Sequence, residues 1–174
     1  MDVSSIVDFA NEATADVAKY EVRNVFLNSE YLRKNEYPVG TLIWDSISYG
    51  TTEIDKVPND KRGVYAFAIC HPSDVLPPHG YVLYIGIAGR DSNRALRARY
   101  RDYLNEKKIL KRERIARMIG TWHEVLRFYF APVESDVSSS DLQLLEQKLN
   151  AALMPPCSEG DLEANTKRKR RAFK

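Results

Sequence analysis

Gly63-Val64-Tyr65-Ala66-Phe67-Ala68-Ile69-Cys70 and Tyr81-Val82-Leu83-Tyr84-Ile85-Gly86-Ile87-Ala88 are two apolar runs of strand length and strand composition. Between them, His71-Pro72-Ser73-Asp74-Val75-Leu76-Pro77-Pro78-His79-Gly80 is dense in turn formers and continues neither run. The pair predicts a hairpin, which brings Tyr65 and Tyr84 together. The stretch that follows, Leu96-Arg97-Ala98-Arg99-Tyr100-Arg101-Asp102-Tyr103, has helical composition and sets Arg99 and Tyr103 on one face. Further on, Leu142, Leu145 and Leu149 make an apolar helical stripe, with Glu146 at its border rather than in open water. Two phenols, a guanidinium and a half-buried carboxylate aimed at one small sheet form a site suited to cleaving a phosphodiester.

Working outward, residues 3–19 carry Ile6, Val7, Phe9, Ala10, Ala13 and Val17 at helical spacing and predict an amphipathic helix. Glu30–Lys34 reads as a helical turn, Thr41–Trp44 as a short strand, and Lys56–Asp60 as a loop. Helices are expected at about 94–106 and 108–119, and Val125–Pro132 as a third strand with Leu126, Phe128 and Phe130 on one face. Val137 to Ser140 with Asp141 supply turn and N-cap chemistry for the Glu146 helix, which Pro155-Pro156 ends. The expected class is α/β of the α+β kind. Its order is ββααβα, with a small three-stranded antiparallel sheet flanked by helices and an extra N-terminal helical segment. The expected divisions are an extension at 1–60, the main domain at 61–165 and a basic tail at 166–174.

With 174 residues and 44% apolar composition the chain can bury one core. It has no 18-residue apolar run, so no transmembrane helix and no membrane partner are expected. Met1 to Ser5 are acidic and lack the positive start of a secretory signal. Cys70 and Cys157 are too few for a disulfide framework or a zinc site, which favours a reduced, cytoplasmic setting. The net charge of +2 conceals a polarity. Residues 1–62 hold 7 Lys/Arg against 11 Asp/Glu, whereas residues 90–117 hold 11 basic against 4 acidic. From Asn165 to Lys174 there are 6 basic residues and no acid. Dense cations around Arg99 suit a phosphate backbone, although the same composition also describes a solvated helix face.

The motif order resembles the GIY-YIG nuclease superfamily. The match consists of Gly63-Val64-Tyr65, then Tyr84-Ile85-Gly86, then Leu96 with Arg99 and Tyr103, then Glu146, then Asn165. It spans residues 61 to about 165. Three features depart from the pattern: a longer 66–83 segment, Tyr103 where many members have His, and an Asn165 that lies well past Pro155-Pro156. The resemblance implies a GIY-YIG-like core and a Mg²⁺- or Mn²⁺-dependent endonuclease acting on DNA by a one-metal mechanism, with RNA left open. On this reading Tyr65, Tyr84, Arg99, Tyr103, Glu146 and Asn165 are the catalytic residues. Glu146 is the metal ligand, and Tyr65 is the general base or the group that orients the water. Gly86, Arg90, Arg94, Arg97, Arg101, Lys107, Lys108, Lys167 and Arg168 are candidates for nucleic-acid contacts.

Two other readings stand beside it. One is a non-catalytic nucleic-acid-binding module on the same fold. The other is an interaction protein or nuclease inhibitor that uses the acidic N-terminal third. Oligomeric state, a dimer included, is not legible from the chain.

Overall fold

A computed structural model describes residues 5–9, 11–12, 27–33, 37–70, 80–158, 164 and 167–168. Residues 5–9 and 11–12 are helical, in keeping with the expected N-terminal helix. The rest of that helix, most of the 71–80 linker, Asn165 and tail residues 169–174 lie outside the described residues.

The architecture is α+β around a four-stranded antiparallel sheet, not the three strands expected. In chain order the elements are α1 (Ser29–Arg33), β1 (Asp45–Ser48), β2 (Gly63–Ile69), β3 (Tyr81–Ala88), α2 (Leu96–Tyr100), α3 (Glu106–Ile109), α4 (Glu113–Trp122), β4 (Leu126–Pro132) and α5 (Ser139–Leu153). The sheet order is β1-β4-β2-β3. The additional strand starts where the short strand expected at Thr41–Trp44 stops, and it pairs Ile47 with Phe128. Its four residues show no apolar alternation, so pairing with β4 decides their conformation rather than pattern. The 1–60 segment therefore contributes to the sheet itself.

Both expected hairpin strands form. In β2 every residue from Gly63 to Ala68 is buried. A central strand covered on both faces reads as a continuous apolar run, which is how β2 reads. Period-two alternation then sorts its side chains. Tyr65 and Phe67 join Tyr84, Phe128, Phe130, Leu96, Tyr100 and Tyr103 on one face. Val64 and Ala66 join Ile85, Ile87, Ala131, Leu142 and Leu145 on the other. The segment from α2 to α4 covers the first face, and α5 covers the second, lying mainly along β3.

The helix expected at 94–106 is shorter. Its first N–H groups are satisfied from outside, Leu96 N by Lys61 O and Arg97 N by Pro58 O, both at 2.9 Å. After Tyr100 it tightens into a 3₁₀ turn over Arg101–Tyr103. Asn105 then leaves helical geometry and accepts from Lys108 N, capping α3. The helix expected at 108–119 is divided in the same way, because Arg112 (φ −127°, ψ 78°) breaks the chain between α3 and α4. For α5 the expected cap is present. Ser138 Oγ accepts from Asp141 N at 3.0 Å, and the helix ends at Leu153, with Met154 left-handed before Pro155.

Gly63 holds the sheet to α2. A Cβ there would lie 2.2 Å from Ala131 O, a backbone atom, and 3.0 Å from Leu96 Cδ1. By contrast, a Cβ at Gly120, inside α4, meets nothing within 4 Å. In urea titration Gly63→Ala is expected to lose about 3 kcal/mol through overpacking. Gly120→Ala should gain roughly 0.5–1 kcal/mol by removing helical glycine entropy. Equal effects at the two positions would contradict this packing.

Candidate functional site

The site is built on Tyr65. Its ring lies over the neighbouring strand at Gly86, its register partner. A Cβ at Gly86 would fall 2.5 Å from Tyr65 Oη and 3.0 Å from Tyr84 Cε1. Gly86 is therefore the space into which the phenol fits.

Three phenols meet here. Tyr65 and Tyr103 share a hydrogen bond of 2.8 Å, and the ring centroids of Tyr65, Tyr84 and Tyr103 are 5.8–6.2 Å apart. Arg99 Nε donates to Tyr65 Oη at 3.0 Å, and its guanidinium lies 5.7 Å from the Tyr103 ring centroid. The four residues come from β2, β3, α2 and the 3₁₀ turn, and contact unites all four. Tyr65 and Tyr103 are fully buried and Tyr84 nearly so, whereas Arg99 is partly open. An approaching anion meets guanidinium first and phenol second.

Burial, followed by the neighbouring Tyr103 and Tyr84, pushes the Tyr65 hydroxyl well above its usual range, and Arg99 only partly opposes this. Tyr65 is thus a neutral phenol in the free protein. That geometry suits a group that donates to or orients a water better than one that removes its proton.

Two residues not singled out from the sequence complete the cluster. Asp102 holds the cations in place, with Oδ2 at 2.7 Å from Arg94 and 3.4 Å from Arg99, and Oδ1 at 2.6 Å from Lys108. Burial works against its ionisation, but the bonds from Lys108 and Arg94 outweigh that and hold the carboxyl below its usual range. The i,i+3 spacing of Arg99 and Asp102 was a legible signal for this pair. Arg112 donates to Tyr84 Oη at 3.3 Å and lies 5.0 Å from the Tyr103 ring centroid. Nothing local in the chain marks it.

Glu146 lies on α5, which covers the opposite face of the sheet and runs mainly along β3, the strand that carries Tyr84. Glu146 is buried, and Arg90 holds Oε2 at 2.6 Å. One turn on, buried Asn150 donates to Glu146 O at 2.9 Å, while its Oδ1 has no partner among the described residues. Among those residues no group of three His, Cys, Asp or Glu gathers as a metal site. Magnesium needs few protein ligands. Glu146 offers one such carboxylate, paired here with the half-exposed Arg90.

The remaining expected cations divide. Arg97 donates to Val57 O and to Asp55 Oδ1 and O, so it ties the 3₁₀ turn at Ile54–Lys56 and the residue after it to α2. Arg94 and Lys108 serve Asp102. Arg101, Lys107 and Arg168 are exposed and Lys167 is intermediate. Asn165 lies outside the described residues. No helix among the described residues is long and apolar enough to cross a membrane. Cys70 and Cys157 are free thiols. No family model, curated protein or solved structure matches the chain.

The raised Tyr65 hydroxyl has a consequence at high pH. Above about pH 10 the unfolded chain ionises its tyrosines while folded Tyr65 stays protonated, so its stabilisation is complete below that pH and lost as pH rises. Tyr100, which burial pushes up to about 12, contributes in the same direction. Urea unfolding between about pH 9 and 12 should show stability falling, with a shallower fall in Tyr65→Phe by up to ~1.4 kcal/mol per pH unit. An unchanged slope would place the Tyr65 hydroxyl in contact with water.

Proposed function

We propose that this chain is a metal-dependent endonuclease of the GIY-YIG type, hydrolysing phosphodiester bonds in DNA. The observation that carries the reading is the convergence of Tyr65, Tyr84, Arg99 and Tyr103 into one bonded cluster. The hairpin brings Tyr65 and Tyr84 together, and Arg99 and Tyr103 reach the Tyr65 hydroxyl from chain more than thirty residues away. Further support comes from the adjacent antiparallel strands that hold the two tripeptides and set Tyr65 opposite Gly86.

Hydrolysis of a phosphodiester needs a directed water, positive charge on the developing phosphorane oxygens and help for the departing oxygen. Arg99, anchored by Asp102, offers guanidinium donors to the non-bridging oxygens. Tyr65, buried and fixed by Arg99 and Tyr103 in the free protein, would direct the attacking water once a bound phosphate draws Arg99 away and opens the cluster. Tyr84 and Tyr103 offer hydroxyls to the same phosphate. Glu146 would hold the metal after parting from Arg90, and the ion would supply Lewis-acid charge at the leaving oxygen. Exposed Arg101 and Lys107 would track the flanking strand.

The test is cleavage of supercoiled plasmid and labelled single strands, with Mg²⁺ or with EDTA. EDTA should abolish cutting, and Glu146→Gln and Arg99→Ala should each lower kcat by about 10²-fold or more while salt-sensitive binding persists. Binding without cutting in either Mg²⁺ or Mn²⁺ would make the chain a nucleic-acid-binding module instead. Neither binding nor cutting would favour the interaction protein.

A further inference from the structure

We infer that the cavity between Arg99 and Arg112 is a phosphate subsite and that Arg112 is its principal ligand, deepening the nucleic-acid reading on which it rests. The cavity has a volume of about 150 Å³ and is walled by Arg99, Asp102, Tyr103, Lys108 and Arg112 over an apolar floor that includes Ile115. That is at least about ten times the roughly 10–15 Å³ that one water requires.

The charge around the cavity is unbalanced. Asp102 is its one carboxylate and is already bonded to Arg94, Arg99 and Lys108. Arg112 has no such partner. Its hydrogen bonds are to the Tyr84 and Tyr103 phenols, whose rings also lie against it, and no carboxylate among the described residues pairs with it. A guanidinium carries five N–H donors. A partly buried one that meets only neutral phenols keeps most of them for a ligand, and the charge favours an anion. Arg99 and Arg112 both lie against the Tyr103 ring, so a phosphate between them is gripped by two forks. The ligand is a phosphate group, either a phosphodiester of the bound strand or a free phosphate.

Binding of labelled single-stranded and duplex oligonucleotides is measured in EDTA across a range of salt concentrations, for wild type, Arg112→Gln and Arg112→Lys. The subsite predicts that Arg112→Gln weakens binding about tenfold and lowers the log–log salt slope by about 1. Arg112→Lys should keep the slope and recover part of the affinity, which a merely structural role of the side chain would not produce. A second arm replaces chloride with inorganic phosphate at equal ionic strength and follows thermal unfolding. Phosphate should stabilise wild type and not Arg112→Gln. Stabilisation without any change of salt slope would give the subsite to a free phosphate instead of a strand. Wild-type behaviour of Arg112→Gln in both arms, with a native circular dichroism spectrum, would overturn the inference. If wild type binds no nucleic acid, the endonuclease proposal fails, and the phosphate arm still judges the cavity.

Discussion

A tyrosine buried on the central strand must find hydrogen bonds for its hydroxyl, and much of this structure follows from how Tyr65 does so. An unmet buried hydroxyl costs about 1–3 kcal/mol. The partners are supplied by chain more than thirty residues later, Arg99 in α2 and Tyr103 in the turn after it. Reaching them requires the ring to lie across β3, which only glycine at position 86 permits. It also requires α2 to sit close against β2, which Gly63 permits in turn. Gly86 is thus explained by the Tyr65 ring, and Gly63 by the backbone of Ala131 and Pro132 and the Leu96 side chain.

Around the phenols lies a layer of charge. Asp102 collects Arg94, Arg99 and Lys108 so that three cations crowd one side of the sheet at tolerable electrostatic cost. The aromatic faces of Tyr84 and Tyr103 give Arg112 a seat in place of a carboxylate. On the other side of the sheet Arg90 and Glu146 neutralise each other.

The fold was legible where pattern and burial coincide. The runs at Gly63–Ile69 and Tyr81–Ala88, the alternation in Leu126–Pro132 and the Leu142–Leu145–Leu149 stripe all became the elements they suggested. The fourth strand was not, because Asp45–Ser48 has no apolar alternation of its own and becomes a strand through β4. Helix lengths between residues 94 and 122 were overestimated, because Asn105 and Arg112 break a composition that is otherwise uniformly helical. Arg97 shows the limit of reading cations from charge alone. It sits within the basic block and yet holds a loop through Val57 O and Asp55.

By itself the sequence determined which residue types were available and on which local elements: two tyrosines on paired strands, an arginine and a tyrosine one helical turn apart, and a carboxylate beside an apolar stripe. These follow from local periodicity, which needs no knowledge of distant chain. Tertiary structure alone decided that Tyr65, Tyr84, Arg99 and Tyr103 touch and that Glu146 pairs with Arg90. It also decided that Arg112 belongs to the cluster and that burial pushes the Tyr65 hydroxyl above its usual range. Each of these depends on burial and on contacts between residues far apart in the chain, and desolvation is a property of the packed molecule rather than of any segment.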